Sequence, residues 1–337
     1  MRLIKLCCIA AISMMGFMAC GNDEPEPAVT TPGGNNGSTT DPGDETPTVE
    51  KTPTLLITDG WVSDTIAPGL IYHNFEQQYD DVTKGKQIVN VLELDMTDPS
   101  YTLELRYILG NSSCSDAVKG SDGIAGINGG YETEAIYIKV NNYRAHEVTL
   151  APDHLRFWKH EGAVYWSTLN DLGFTFAGKN GADAIAAYKA DKHRNLIASA
   201  PMLIENYDPC GTRFVDPSLT AEDLNRLNYE DSQRHQGVRH PRTAIAVTED
   251  RDLLLVTVDG RWPGRGEGMN ARELTEFLVK YFNPQDALNM DGGGSTTMVV
   301  KGHGDTGTNV VNYPTDNGVF DHTGERKVST HFIIKKK

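Results

Sequence analysis

The polar segment Asp291-Gly292-Gly293-Gly294-Ser295-Thr296 is the strongest candidate for a chemical site in this chain. Three adjacent glycines cost strand stability, because each loses extra conformational entropy when it is ordered. A ligand that approaches the bare backbone would explain them, since backbone N–H groups can hold an anion between the flanking carboxylate and hydroxyls. A glycine bulge in a hairpin is the alternative.

A second carboxylate, Asp259, follows the run 253–258, and Arg261 stands two residues later. The run is apolar on both faces, which predicts a central strand that is covered on both sides. A carboxylate directly after a buried strand is well placed for catalysis, because loops at strand ends carry many functional groups.

Arg242 opens the preceding strand, and a hairpin around residues 249–251 would bring it to the same end of the sheet as Asp259. Arg242 also belongs to the basic cluster 234–242, which favours a small anionic ligand, with a solvated loop as the alternative. We therefore expect Arg242, Asp259 and Asp291 to line one pocket.

The turn Asn128-Gly129-Gly130-Tyr131 combines an amide with an aromatic ring, which suits sugar binding if the ring is exposed. Alone this signal is weak, because Asn-Gly is first of all a hairpin turn.

The remaining pattern predicts an α+β fold with mixed or antiparallel sheets and few helices. Residues 270–282 have the apolar spacing of a helix capped by Asn270, and 220–227 predict a shorter one capped by Thr220. Residues 87–96 and 101–107 predict two paired strands. The folded part is a single domain over 54–337, with residues 205–240 as a candidate inserted lobe.

The N-terminus predicts a lipoprotein. The apolar run 6–19 is too short to span a bilayer and is followed directly by Cys20. We therefore predict that residues 1–19 are a signal peptide and that Cys20 is the lipidated residue. An ordinary secretory signal is the alternative. The Pro-rich segment 20–53 predicts a disordered tether. Acidic residues after Cys20 favour an outer-membrane lipoprotein exposed at the cell surface.

The net charge of −15 disfavours nucleic acid, because phosphate backbones need a basic partner. Cys114 and Cys210 remain after the signal, and a disulfide between them or two separate buried thiols are both open. The spacing of Cys and His predicts no zinc site and no cofactor, with a divalent cation left open.

These stretches together resemble the phosphodiester glycosidase family. The matching pieces run in the family's order over residues 65–335: Ile66-Ala67-Pro68-Gly69, Asn128-Gly129-Gly130-Tyr131, Pro241-Arg242-Thr243-Ala244, Val258-Asp259-Gly260-Arg261, Asn289-Met290-Asp291-Gly292-Gly293-Gly294-Ser295-Thr296, Asn312-x-Pro314 and Glu325-Arg326-x-Val328. The resemblance implies hydrolysis of the sugar–phosphate bond in sugar-1-phosphodiesters similar to N-acetylglucosamine-1-phosphodiesters. Tyr131 stands where the family usually has Phe.

The residue types also support hydrolysis of a glycosidic bond, since glycoside hydrolysis usually needs two carboxylates. We assign Asp291 and Asp259 as the pair, with Glu325 as substitute, and Arg242 as the phosphate ligand. The candidate substrate-binding residues are Asn128, Gly129, Tyr131, Arg261, Gly292, Gly293, Gly294, Ser295 and Thr296. The alternative is a non-catalytic surface lipoprotein that captures glycans or cell-wall fragments.

Overall fold

The computed structural model describes residues 53–178 and 182–337. The predicted signal peptide, Cys20 and all of the predicted tether except Pro53 lie outside the described residues. Three antiparallel sheets and a few short helices make up the described part, which confirms the α+β prediction.

The largest sheet has eight strands and carries most of the candidate site residues at one end. Its order is β1-β2-β3-β14-β13-β15-β11-β12. The bounds are β1 Trp61–Ala67, β2 Leu70–Tyr79, β3 Gly85–Asp95, β11 Met202–Glu205, β12 Asp208–Pro209, β13 Arg242–Val247, β14 Asp252–Val258 and β15 Asp286–Asn289.

The other strands form two smaller sheets. A five-stranded sheet has the order β7-β6-β10-β8-β9, and a four-stranded sheet has the order β16-β5-β17-β4. The bounds are β4 Tyr101–Ser112, β5 Ala125–Asn128, β6 Ile138–Val140, β7 Tyr143–His146, β8 Gly162–Trp166, β9 Gly173–Phe176, β10 Asn195–Ser199, β16 Met298–Val300 and β17 Val328–Lys336.

The helices of the described residues are α1 Cys114–Lys119, α2 Ala182–Ala190, α3 Ala221–Arg226, α4 Ser232–Gly237 and α5 Ala271–Tyr281. Asn270 caps α5 in a capping box with Glu273, and Thr220 caps α3 in the same way, as the sequence predicts. Both predicted helices are therefore confirmed. None of the helices described is long and apolar enough to cross a membrane.

The hairpin of β13 and β14 forms the centre of the large sheet, and Arg242 pairs with Val258 at its open end. Every residue of β14 is buried. Leu254 and Val256 pack with the apolar face of α5, whereas Leu253 and Leu255 pack toward the two smaller sheets. Coverage on both faces confirms β14 as a central strand.

The predicted pairing of residues 87–96 with 101–107 is wrong, because β3 and β4 lie in different sheets. β3 pairs with β2 and β14, and β4 pairs with β17 near the end of the chain. Leu92 of β3 and Leu105 of β4 share one hydrophobic cluster. The two strands therefore meet across the core, face to face, instead of side by side.

Candidate active site

A cleft of about 310 Å³ lies where β15 ends, which is within the size range of small-molecule sites. Four chain segments form it: the end of β4, the turn after β5, the glycine turn after β15 and the segment that enters β17. Its lining residues are Asn111, Gly130, Tyr131, Glu132, Thr133, Glu134, Asp291, Ser295, Arg326, Lys327, Val328 and Ser329.

Asp291 is the carboxylate at the base of this cleft. Its backbone N–H donates to the Gly129 carbonyl at 3.1 Å, and the Asn128 side chain donates to its carbonyl at 2.6 Å. Burial raises the pKa of Asp291 to about 7, and the Ser295 hydroxyl and the charge of Arg326 offset part of that rise. A carboxyl on a hydrogen-bonded backbone, with a pKa near neutrality, is suited to proton transfer.

The glycine turn has a backbone conformation and close neighbours that a residue with a Cβ atom would fit poorly. Gly293 has φ of +61°, and its N–H donates to the Pro241 carbonyl at 2.9 Å. Gly294 lies directly against Asp316 and Arg326, where a Cβ atom would collide with both side chains. The turn thus leaves room for a guanidinium, while at least one amide of the predicted anion nest is already used.

Arg326 and Arg261 flank the glycine turn. Arg326 makes a two-point ion pair with Asp316 at 2.6 and 2.9 Å and lines the cleft. Arg261 is exposed, donates to the Tyr229 hydroxyl at 3.0 Å, and would be 2.9 Å from a Cβ on Gly293. These two guanidinium groups, one of them paired with Asp316, suit an anion such as a phosphodiester.

Asp259 follows β14 at the same end of the sheet, yet it is only 1% exposed and is not among the residues lining the cleft. One carboxylate oxygen accepts from the Asn312 side chain and the Tyr313 N–H, both at 3.0 Å, and the other has no hydrogen-bond partner among the described residues. Burial raises the pKa of Asp259 to about 7, against these two hydrogen bonds. Asp259 is therefore a second carboxyl that titrates near neutrality.

Arg242 lies on the other face of the sheet. It pairs with Val258, which packs on the α5 side, whereas the next residue, Asp259, alternates to the opposite face. The buried Arg242 guanidinium donates to the carbonyls of Met269, His235 and Val238. The expected single pocket lined by Arg242, Asp259 and Asp291 is thus not what the structure has, because alternation along β14 separates Asp259 from Arg242 and neither of them lines the cleft that holds Asp291.

The rest of the basic cluster is also occupied internally. Arg239 donates to both oxygens of the buried Glu273, and Arg234 donates to backbone carbonyls. Burial lowers the pKa of His240 to about 3 and that of His235 well below its usual range, which leaves both rings neutral. The cluster is neither the predicted anion site nor a solvated loop, but a set of structural contacts.

Comparison with known proteins places this geometry in a family. A model of the family described as phosphodiester glycosidase matches residues 122–335. The chain belongs to the phosphodiester glycosidase family. The family match includes Asp259, Asp291 and both arginines of the glycine turn.

Relatives with assigned names cover a smaller part. The chain is 32% identical over 122 residues to N-acetylglucosamine-1-phosphodiester alpha-N-acetylglucosaminidase from Bos taurus and 30% identical over 122 residues to the one from Homo sapiens. Each match covers 36% of this chain and 21% of the relative, so the chain spans about a fifth of the curated relatives it matches.

Solved structures share the fold. The zebrafish N-acetylglucosamine-1-phosphodiester alpha-N-acetylglucosaminidase catalytic domain, auto-inhibited by its pro-peptide, has a TM-score of 0.57 at 18% identity, covering 83% of this chain and 89% of that one. A hypothetical protein from Synechocystis has a TM-score of 0.52 at 13% identity, covering 82% and 64%. The fold shared with the zebrafish catalytic domain thus extends over 83% of this chain.

Two predicted sugar ligands, Tyr131 and Asn128, are buried. Tyr131 lines the cleft but is only 3% exposed, because its ring packs against Trp158 and His235 and its hydroxyl donates to the Ala200 carbonyl. The expectation of an exposed ring is wrong. Asn128 is fully buried, and both ends of its amide are hydrogen-bonded.

Glu325 lies outside the cleft lining. Its carboxylate accepts from the N–H and hydroxyl of Ser115, in the first turn of α1, which is a favourable position for a negative charge. The adjacent Arg326 lines the cleft instead. Sequence reasoning missed Arg326 as a site residue, although the piece Glu325-Arg326-x-Val328 that carries the resemblance contains it.

Ser295 and Thr296, which are adjacent in sequence, have different surroundings. Ser295 lines the cleft beside Asp291, whereas Thr296 is buried with its hydroxyl 3.4 Å from that of Thr243. Gly129 is placed by its hydrogen bonds to the backbone of Asp291 and Thr330, and Gly292 packs against the Pro241 carbonyl.

Cys114 and Cys210 are unbonded and buried in different hydrophobic clusters, so the alternative of two separate thiols replaces the disulfide. Over residues 53–178 and 182–337, no group of three or more His, Cys, Asp or Glu side chains could hold a metal ion.

Proposed function

We propose that this chain hydrolyses the sugar–phosphate bond of sugar-1-phosphodiesters, with N-acetylglucosamine-1-phosphodiesters as the first substrates to test. The observation that carries the proposal is that Asp291, whose pKa is near 7, and Arg326 line one cleft that is large enough for a sugar. Membership of the phosphodiester glycosidase family supports the reaction class.

The proposed reaction uses the two guanidinium groups to hold the phosphodiester anion next to the anomeric carbon. Asp291, as carboxylate, takes a proton from the attacking water. A phosphate monoester leaves, and it needs less protonation than an alkoxide would. Asp259 is buried outside the cleft lining, so the proposed reaction assigns it no proton-transfer step.

The test is an assay of the full chain against a panel of sugar-1-phosphodiesters, with release of the free sugar as the readout. Asp291→Asn should keep its fold and lose on the order of 10²–10⁴ in turnover, as expected when a positioned base is removed. Asp286→Asn is the matched control, because Asp286 lies at the other end of β15 and its pKa is also raised by burial.

A non-catalytic glycan-binding protein is the second candidate. It predicts binding of the same diesters without release of sugar, and no difference in release between wild type and Asp291→Asn. Hydrolysis that Asp291→Asn leaves intact would contradict the assigned role of Asp291 and keep the reaction class.

We propose further that Cys20 carries lipid and holds the protein at the outer membrane of the cell envelope, as the N-terminal sequence predicts. Cys20→Ser should move the protein from the membrane fraction to the soluble fraction. Membrane association that this substitution leaves unchanged would contradict the anchor.

A further inference from the structure

The lobe over residues 205–240 brings an aromatic side chain to the rim of the candidate site. Tyr229 lies between α3 and α4, and 49% of its surface is exposed. Its hydroxyl accepts from Arg261 at 3.0 Å and would be 3.5 Å from a Cβ on Gly293. An exposed ring therefore lies directly beside the glycine turn.

Tyr229 is held in this place by its neighbour, Glu230. The Glu230 carboxylate pairs with the buried Lys159 at 2.7 Å, and its carbonyl accepts from the Trp158 indole at 3.0 Å. Lys159 also pairs at 2.9 Å with Glu132, which lines the cleft. The lobe is thus fixed to the wall of the cleft, so the ring of Tyr229 needs little ordering when a ligand binds.

The glycine turn gives the order of groups along the site. Arg326 lies against the third glycine of the turn, whereas Tyr229 and Arg261 lie against the second. Asp291 and Arg326 line the cleft, while Tyr229 and Arg261 are outside its lining. From the cleft outward the order is carboxyl, first guanidinium, then the ring with the second guanidinium.

This order assigns a ligand group to each position, and the assignment rests on the proposed function. If the sugar occupies the cleft and the phosphate lies between the guanidinium groups, the next position outward meets the alcohol esterified to the phosphate. We propose that Tyr229 is a specificity-determining residue that contacts this leaving alcohol and favours alcohols that carry a sugar ring over small linear ones.

The surroundings of the ring leave it able to make that contact. His240 approaches Tyr229 edge-on at 5.8 Å between ring centroids, and the Arg234 guanidinium is 5.8 Å from the ring centroid. Neither is a close stacking partner, and half of the side chain is open to solvent. A planar apolar face beside charged groups suits a sugar ring attached to a phosphate.

The test compares two diesters with the same N-acetylglucosamine-1-phosphate part, one esterified to methanol and one to the primary hydroxyl of a methyl hexoside. For wild type, kcat/KM should be about 3–10-fold higher for the hexoside diester, which is the size expected of one aromatic contact. Tyr229→Ala should reduce that ratio to near 1, mainly through KM, and Tyr229→Phe should keep it.

Tyr207→Ala is the matched control, because Tyr207 is 40% exposed in the same lobe, next to Asp286 at the far end of the sheet. A ratio that Tyr229→Ala leaves unchanged, or that Tyr207→Ala reduces equally, would overturn the assignment. If wild type cleaves neither diester, the proposed function fails instead. If it cleaves both equally, only the role of Tyr229 fails.

Discussion

Two groups of arginines lie near the same end of the large sheet, and they differ in what their guanidinium groups contact. Arg234, Arg239 and Arg242 are close in sequence, and they donate hydrogen bonds to backbone carbonyls, the neutral ring of His235 and two glutamates. Arg261 and Arg326 are far apart in sequence but flank one glycine turn beside Asp291.

The difference shows that a run of positive charge is a poor indicator of an anion site. Arg242 lies under the sheet end, where its guanidinium connects β13 to α4 and to the segment before α5. Arg326 is exposed to solvent at the cleft and shares its charge with a surface carboxylate. Access to the ligand, and not local charge density, separates the two groups.

The largest expected effect is on stability, at Arg242. Arg242→Met removes the donor of three buried carbonyls, so the free energy of unfolding should fall by about 3–5 kcal/mol. Urea unfolding at low temperature measures this, and turnover per folded molecule should change by less than about threefold, well below the effect of losing a positioned base. A large loss of turnover in fully folded Arg242→Met would place Arg242 in the site after all.

Arg326→Ala should show the opposite pattern. Loss of one charge-assisted contact to the phosphodiester should lower kcat/KM by about 10²-fold. The midpoint of urea unfolding should barely move, because the ion pair with Asp316 is at the surface. Arg326→Lys should recover part of the activity. Equal activity of wild type and Arg326→Ala would contradict the anion site.

The pH profile gives the smallest effect and sharpens the comparison. With Asp291 as a base of pKa about 7, kcat/KM should rise with pH and level off above that value. The positive charge of Arg326 lowers the pKa of Asp291, so in Arg326→Ala the rise should move to higher pH. Arg242→Met should leave the midpoint in place, and a profile that falls with pH would make Asp291 an acid instead.

The local parts of the fold follow from the sequence. The capping box of α5 and the hairpin of β13 and β14 each depend on residues close in the chain, and both predictions are confirmed. The pairing of β4 with β17 could not be predicted in this way, because no local pattern selects a partner more than 200 residues away.

The candidate site also has parts that local sequence predicts and parts that depend on long-range contacts. Asp291 and the glycine turn could be found from the local sequence alone, and the end of the sheet where Asp259 and Arg242 lie could be predicted from the hairpin. The face on which each side chain lies could not, since one residue of register reverses it. The burial of Tyr131 also depends on Trp158 and His235, which come from separate segments.

The two ends of β14 differ in what they connect. At its first residue, the side chain of Asp252 accepts from Thr54, and the Thr54 N–H donates to Glu93 at 2.9 Å, while Asp259 follows its last residue. Seven residues of strand separate these points by roughly 20 Å. The segment that holds Thr54 therefore joins the large sheet at the end of β14 remote from Asp259, so its contacts lie away from the cleft.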